Sequence, residues 1–598
     1  MDDGRLRSDC IAAGLAKVIW VWQLGASDAA KGIGVPGRHS LALILAILIV
    51  LGLIDAWAGR QSYIAGDTVP YIDMAHRIAA GDLQHAVNGQ WSPLYPILLA
   101  PFIGPFQTNA FVEFSMVRGV NFLIFLATIA LFHSLLIRLL AHCYGKAGAA
   151  SAPFPLLSRS QFTIAAYALL AWGCFGLTIV ARVNPDLCVA AITFAAAGLL
   201  LSFKEGQVSK ARFVLFGATL GIGFLFKAIF FPLALLFLAG AALEPRVRAV
   251  KWRLSLSLLT FLLIASPLVT ALSMKYGRLT FGETGRNAYR TDVLFMPLVH
   301  WQGGPPGFGT PEHPTRRILE NPDVYEFATP IAATYSPWYD PTYWNAGAVL
   351  RLDAFKYGRA IARNISRVAF LLWFALPMLL LLVIAYRRVR IDLGSILYFR
   401  SLWLVGIGNV ALYVVLLVEA RYLAGCLPLL AMLALATLRP RNTASASVVG
   451  TALTALLVVC IAVETGPRLA KATALLVTAR GDPRNDPWLV ADELKRRGVA
   501  PGTPVAAIDR QDEWHWSVAR ISDWALLARV PIVSEVFQLN LKDGQQFWEV
   551  PAERQASALD ALRRTGARVV VASGVPASAN TSGWIRVQNT AYYYRFLD

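Results

Sequence analysis

Residues 41–73 read LALILAILIVLGLIDAWAGRQSYIAGDTVPYID. The run 41–58 is almost wholly apolar and is about as long as a helix that crosses a membrane. In the polar segment that follows, Asp67 comes directly after Gly66, and Asp73 lies farther along. A carboxylate at the end of a spanning helix has water on one side and lipid-soluble molecules on the other. This stretch therefore predicts a membrane protein with a candidate acid or base at Asp67.

The composition extends this prediction to most of the chain. Of 598 residues, 56% are hydrophobic and only 15% are charged, which is more apolar surface than a soluble protein of this size needs. The net charge of +18 comes from basic residues grouped between apolar runs, a pattern typical of the cytoplasmic loops of membrane proteins. We therefore predict a membrane partner and no nucleic-acid binding.

Apolar runs near or above 18 residues qualify as spanning helices. We predict about eleven, at 41–58, 114–141, 161–180, 187–203, 212–227, 228–243, 254–274, 366–386, 400–418, 421–438 and 447–464. With a cytoplasmic N-terminal segment, 1–40, every inside loop is basic, as the positive-inside rule requires. Residues 1–40 mix acids and bases and do not form a cleavable signal peptide. These features predict a multi-pass protein of a bacterial inner membrane.

This topology places three polar regions on the extracytoplasmic side, at 59–113, 275–362 and 466–598. Within the first of them, the short proline-bounded run 91–106 is interpreted as a re-entrant or surface helix, because a span there would invert every later loop. In 466–598, strand-like runs alternate with helical runs, which predicts a small α/β domain in the aqueous space. The fold class is therefore mainly α, with a transmembrane domain at 41–465 and an extracytoplasmic C-terminal α/β domain.

Three aspartates are the candidate catalytic residues. Asp67 and Asp73 lie in the first outer loop, and Asp186 follows Asn184-Pro185 at the start of a predicted span. Burial at the membrane boundary can raise the pKa of a carboxyl group, which would suit it to take a proton from an acceptor. The structural alternative is that these aspartates cap helices.

Two cations on the outer side are candidates for binding a phosphate. Lys227 lies among apolar residues at a predicted outer turn, and Arg421 lies in the segment Glu419-Ala420-Arg421-Tyr422. An outside arginine runs against the positive-inside trend, and its planar fork suits phosphate. The alternatives are that Lys227 snorkels to the interface and that Arg421 pairs with Glu419.

The long outer loop combines aromatic with polar side chains, a composition that suits sugar binding and equally an interfacial aromatic belt. The candidate substrate-binding residues are Glu283, His300, Trp301, His313 and Arg316. The two histidines could contribute to a divalent-metal site, but their spacing matches no recognised ligand motif. The six cysteines form no CxxC pair, so a structural zinc site or a disulfide framework is not predicted.

The order of these motifs resembles the membrane glycosyltransferases of the GT-C fold, which include the protein O-mannosyltransferases and the lipid A aminoarabinose transferases. The resemblance covers roughly 41–465. It rests on the early Asp67 after one span, on the Ser92-Pro93-Leu94-Tyr95-Pro96 motif before the second span, and on the later motifs around Asp186, Lys227 and Arg421.

The resemblance implies transfer of a sugar from a polyprenyl-phosphate donor to a lipid, glycan or protein acceptor, with inversion at the anomeric carbon. Asp67 matches the catalytic base of that family, and Lys227, Arg421 and Tyr422 would hold the donor phosphate. Several relatives have an Asp-Glu pair where this chain has Asp67-Thr68. Whether Asp67 acts alone or with Asp73 therefore stays open.

Two other functions remain as alternatives. A transporter or flippase of a lipid-linked substrate is disfavoured by the lack of internal repeats and of charged residues at mid-helix. A catalytically inactive scaffold of the same fold would differ only in the chemistry at Asp67.

Overall fold

The computed structural model describes residues 38–60, 66–103, 110–145, 155–206, 208–304, 306–327, 333–478, 486–508, 518–537 and 546–597. Most of the predicted N-terminal segment 1–40 lies outside the described residues.

Helices dominate these ranges, because a backbone in lipid must satisfy its own hydrogen bonds. The α-helices are α1 (Arg38–Ala58), α2 (Thr68–Ala79), α3 (Leu83–Ala86), α4 (Leu94–Ile103), α5 (Ala110–Tyr144), α6 (Arg159–Ala171), α7 (Asp186–Ser202), α8 (Lys210–Phe226), α9 (Phe230–Ala242), α10 (Pro245–Arg248), α11 (Leu254–Lys275), α12 (Thr284–Ala288), α13 (Ser336–Tyr339), α14 (Ala354–Leu371), α15 (Ala375–Ile384), α16 (Leu393–Tyr398), α17 (Arg400–Val414), α18 (Cys426–Thr437), α19 (Thr443–Thr478), α20 (Asp486–Arg496), α21 (Val518–Ala528) and α22 (Ala552–Arg564).

Each predicted span coincides with a helix, but the helices differ in length. Among the described residues, five are long and apolar enough to cross a membrane, and the bent pair α14–α15 would make six. These five are His39–Ala58, Val112–Tyr144, Arg159–Leu177, Lys251–Lys275 and Ser447–Val477. The other predicted spans are the shorter helices α7, α8, α9, α17 and α18, so the count of about eleven is not fixed by helix length.

The predicted span at 366–386 has a different structure from the one expected. Helix α14 begins well before it, at Ala354, and meets α15 at an angle of 68°. Asp353 caps α14 by accepting a hydrogen bond from the backbone N–H of Lys356. Apolar content alone located the run but could not show the bend, because a bend does not change composition.

The C-terminal region contains a sheet, as expected, and the long outer loop contributes to it. The strands are β1 (Arg316–Leu319), β2 (Val324–Glu326), β3 (Val389–Ile391), β4 (Leu438–Pro440), β5 (Val505–Ile508), β6 (Ile532–Val536), β7 (Val569–Ala572), β8 (Ile585–Arg586) and β9 (Tyr593–Phe596). The larger sheet has the order β1-β2-β6-β5-β7-β9-β8, with β5 parallel to β6 and β7. Strand β2 pairs antiparallel with β6, with Val324 opposite Val536. The loop and the C-terminal region thus share one sheet.

Candidate active site

Four charged side chains from separate parts of the chain meet at one place. Asp67 directly precedes α2, Asp186 is the first residue of α7, and Lys227 caps the C-terminus of α8. Arg421 lies in a short 3₁₀ turn, Ala420–Leu423, before α18. Each therefore lies at or beside the end of a helix, where its side chain can extend beyond the packed helices. We call these four residues the ion-pair cluster.

The contacts within the ion-pair cluster form a chain of alternating charge. The guanidinium of Arg421 forms an ion pair with Asp67, and its Nε lies 3.5 Å from Oδ2 of Asp186. Lys227 Nζ donates to Oδ1 of Asp186 at 2.5 Å. Two carboxylates and two cations thus balance, although Arg421 Nε and Asp186 Oδ2 have no hydrogen-bond partner.

The predicted Tyr422 also belongs here, and it lies beside both cations. Lys227 Nζ lies 3.6 Å from the centre of the Tyr422 ring, and the Arg421 guanidinium carbon lies 5.2 Å from it. Cations at these distances are attracted to the negative face of the ring. Tyr413 stacks on Tyr422 with ring centres 5.1 Å apart. The Tyr422 ring therefore contacts the same two cations that pair with the carboxylates.

Asp73 lies outside the ion-pair cluster, although it is on the same helix that follows Asp67. Its carboxylate accepts hydrogen bonds from the backbone N–H of Thr334 at 2.9 Å and from its hydroxyl at 2.8 Å. Burial raises the pKa of Asp73 from 3.8 to about 6, and the Thr334 hydrogen bonds oppose that rise. Asp73 therefore connects α2 to the long outer loop rather than to the ion-pair cluster.

The segment 334–339 of that loop also binds Gly66, the residue that precedes Asp67. Trp338 donates its indole N–H to the carbonyl of Gly66 at 2.8 Å. The hydroxyl of Tyr339 donates to the carbonyl of His85 at 2.6 Å. We call 334–339 the loop clamp, because it binds the first outer loop on both sides of α2. Sequence analysis did not single out these contacts, whose partners are separated by more than two hundred residues.

A second connection links α2 to the C-terminal region. The buried Glu113 carboxylate accepts from Arg529 at 3.0 Å and lies 2.9 Å from Nε2 of His76 on α2. Glu113 belongs to α5, so three separate parts of the chain meet at this carboxylate. Helix α2, which Asp67 directly precedes, is thus tied to both outer regions.

His300 is sealed in the interior, where loop and sheet meet. Its Nε2 lies 2.6 Å from Oε1 of Glu535, and its Nδ1 lies 2.7 Å from the hydroxyl of Thr315. The hydroxyl of Tyr335 also donates to Glu535, at 2.6 Å. Neither His300 nor Glu535 has any exposed side-chain surface. We call these two residues the sealed pair. Glu535 escaped the sequence analysis because a glutamate within a strand gives no sign of its distant partner.

The other predicted substrate-binding residues are dispersed. Trp301 is buried and donates to the carbonyl of Gly304 at 2.6 Å. The half-buried His313 lies against Tyr343, with ring centres 3.8 Å apart.

The remaining two form ion pairs of their own. Arg316 pairs with Glu326 across β1 and β2 at 2.6 Å, with 72% of its side chain exposed. Glu283 is buried and pairs with Arg278 at 2.5 Å. All these partners lie outside the ion-pair cluster, so a substrate role for these residues stays a prediction.

No group of three or more His, Cys, Asp or Glu side chains within the described residues is arranged to hold a metal ion. Both ring nitrogens of His300 have protein partners, which leaves neither of them available as a ligand.

Comparison with known proteins identifies the fold. No family model and no curated protein sequence matches the chain. Among solved structures, it is similar to ArnT from Cupriavidus metallidurans in the apo state, with 13% identity and a TM-score of 0.50, over 94% of this chain and 98% of that one. The same ArnT bound to undecaprenyl phosphate gives a TM-score of 0.43 at 13% identity, over 94% of this chain and 99% of that one. The predicted GT-C fold, mainly helical with a C-terminal sheet region, is confirmed.

Proposed function

We propose that this protein is a membrane glycosyltransferase that moves a sugar from a polyprenyl-phosphate donor to an acceptor. The observation that carries the proposal is the ion-pair cluster. Its two carboxylates and two cations are spread over more than three hundred residues of sequence, from Asp67 to Arg421. They nevertheless contact one another at helix ends. Charged groups beside a membrane bundle are costly to bury, which favours a functional role for them.

The cations supply what the departing phosphate needs. When the bond between sugar and phosphate breaks, negative charge grows on the lipid phosphate, and pre-positioned cations stabilise that charge. Lys227 and Arg421 have partly exposed side chains, at 19% and 11%, so a ligand can reach them. The planar guanidinium of Arg421 can offer two parallel N–H groups to phosphate oxygens.

Donor binding would also release the base. In the ligand-free arrangement Arg421 is occupied by Asp67. A donor phosphate that takes over Arg421 would free the Asp67 carboxylate to accept a proton from the acceptor. Asp186 would stay with Lys227 and keep its ammonium in place. With Asp67 as the single base, the acceptor attacks the sugar directly, which gives inversion.

The location follows from the same topology. The basic loops support a cytoplasmic N-terminus, and with it an ion-pair cluster at the extracytoplasmic end of the bundle in a bacterial inner membrane. ArnT, whose fold this chain shares, has been solved with undecaprenyl phosphate bound. We infer a donor of the same kind here, with a lipid or glycan acceptor.

The test compares Asp67→Asn with wild type and with the matched control Asp82→Asn. Asp82 lies in the same outer loop but pairs with Arg77 and His85 instead of the ion-pair cluster. Each purified protein, in nanodiscs, is incubated with polyprenyl-phosphate sugars and a membrane glycolipid extract, and free polyprenyl phosphate is measured. We expect release by wild type and Asp82→Asn, and at least a hundredfold loss in Asp67→Asn.

Two outcomes would contradict parts of the proposal. Equal release by Asp67→Asn and wild type would remove Asp67 as the base while leaving the transferase. No release by folded wild type from any donor would favour the transporter or the inactive scaffold.

A further inference from the structure

Helix α14 carries four cations along one side. Lys356, Arg359, Arg363 and Arg367 are spaced by three, four and four residues, which places them in one row on an α-helix. We call them the basic stripe. The helix precedes the apolar α15 and meets it at 68°, so the two cannot share one direction through a membrane. If α15 enters the lipid, α14 is inclined toward the membrane surface.

No described carboxylate forms an ion pair with the basic stripe, although the Asp292 carboxylate interacts electrostatically with Arg363 and Arg367. Three of its members donate to backbone carbonyl groups instead: Lys356 to Leu294 at 3.4 Å, Arg363 to Asp292 at 2.8 Å and Arg367 to Val418 at 3.2 Å. The exposed guanidinium of Arg359 lies over the ring of Phe355. Carbonyl oxygens orient these side chains without neutralising them, and within the described residues Lys356 and Arg359 form no ion pair. The stripe therefore remains an anion-attracting surface.

Large apolar side chains lie exposed along the same helix. Phe355 is 74% exposed, Ile365 55% and Phe370 77%. Phe355 lies four residues before Arg359 and Phe370 three residues after Arg367, so both flank the basic stripe, whereas Ile365 lies on the opposite side of the helix. A helix with a row of cations and exposed apolar groups is typical of a helix at a membrane interface. Nucleic acid or an acidic protein would satisfy the cations but not these apolar groups. A lipid with an anionic headgroup satisfies both.

We propose that the basic stripe and the exposed aromatic residues that flank it on α14 form a binding site for the phosphate headgroup of an anionic membrane lipid, whose acyl chains lie against Phe355 and Phe370. The proposal stands independently of the glycosyltransferase function.

The site adjoins the segment that leads to the ion-pair cluster. Asn364 donates to the carbonyls of Val414 and Leu416, at 3.0 Å each, and Arg367 donates to that of Val418. Arg421 follows a few residues later. A lipid that restricts the motion of α14 would therefore also restrict the motion of the segment 414–421, which includes Arg421.

The test measures lipid retention on the full-length protein. Wild type is placed in nanodiscs that contain equal amounts of phosphatidylglycerol and phosphatidylcholine, then released into the gas phase, and the bound lipids are counted by native mass spectrometry. The variant is Arg359→Gln with Arg363→Gln. The matched control is Arg563→Gln with Arg564→Gln, which removes two exposed arginines from a helix of the C-terminal region.

We expect wild type and the control to retain phosphatidylglycerol preferentially, and the α14 variant to lose that preference by roughly tenfold or more, at about fivefold for each charge. Arg359→Lys with Arg363→Lys should keep it, because a point charge suffices for a headgroup. If the glutamine pair fails to fold, Arg359→Gln alone gives the same comparison. Equal retention of both lipids by wild type, or an unchanged preference in the glutamine variant, overturns the proposal. Displacement of the lipid by millimolar glycerol phosphate would identify a free-phosphate site and overturn it too.

Discussion

The ion-pair cluster and the sealed pair are both built from opposite charges that the fold brings together, yet they differ in access. In the ion-pair cluster, 15% of the Asp67 side chain and 19% of the Lys227 side chain are exposed, whereas His300 and Glu535 have none. A ligand can compete for the first set of charges and cannot reach the second. Charge pairing alone therefore does not mark a candidate active site, and exposure to solvent distinguishes the two groups of residues.

The largest expected effect tests the structural side of this comparison. Glu535→Ala leaves His300 and Tyr335 without their shared acceptor, and breaking a buried pair in this way costs about 3–5 kcal/mol. We expect a large fall in the thermal unfolding midpoint, while Glu553→Ala, an exposed glutamate of the same region, changes little. Replacing both members, with His300→Phe and Glu535→Leu, should recover much of the loss. A stable Glu535→Ala protein with impaired sugar transfer would place the sealed pair in the active site.

On the accessible side, Arg421→Gln should impair function more than folding. Loss of one charge-stabilising group typically lowers turnover by about 10²–10³-fold. We expect that loss in release of polyprenyl phosphate, with Arg421→Lys keeping part of the activity because it keeps the charge. Arg286→Gln, an exposed arginine of the long loop, is the control. Turnover by Arg421→Gln within threefold of wild type would show that this arginine does not bear the developing charge.

Asp73 should make the free energy of unfolding depend on pH. Its pKa is raised to about 6 by burial, so the folded state holds this proton more tightly than the unfolded state does. Its contribution to stability is therefore present at low pH and is lost as pH rises toward and through 6. Relative to wild type, Asp73→Asn should gain about 1 kcal/mol between pH 5 and pH 7 in the free energy of unfolding. Parallel pH curves for the two proteins would show that Asp73 does not titrate there.

The smallest effect belongs to an ion pair on the protein surface. Arg316 and Glu326 lie at the edge of the sheet, and such surface pairs contribute about 0–1 kcal/mol. We expect Arg316→Ala to shift the unfolding midpoint by only a degree or two. A raised KM for the acceptor in that variant would instead support the predicted substrate role of Arg316.

The four residues of the ion-pair cluster were all singled out from the sequence, for a simple physical reason. Asp67, Asp186, Lys227 and Arg421 are charged residues at the ends of apolar runs, where burial is costly and a charge stands out from its surroundings. The residues of the loop clamp and the sealed pair show no such contrast between a charged residue and an apolar surrounding sequence. They lie in polar segments of mixed composition, and their partners are set by the three-dimensional path of the chain.

Helix α14 lies between these two cases. Its basic row is visible in the sequence, but hydropathy alone places the start of the span at 366. The stripe from Lys356 to Arg367 has the spacing of a helix. This helical spacing continues upstream of residue 366 and so predicts an earlier start of the helix, although it does not predict the bend.

The shared sheet has a consequence for how the protein is made. Strand β2 is synthesised some two hundred residues before its partner β6, with helices α14 to α19 between them. Their hydrogen bonds can form only if both strands emerge on the same side of the membrane, which requires an even number of crossings in between. One helix inserted the wrong way would leave the two halves of the sheet on opposite sides. Closure of this sheet therefore requires that the last spans have already inserted with the correct topology.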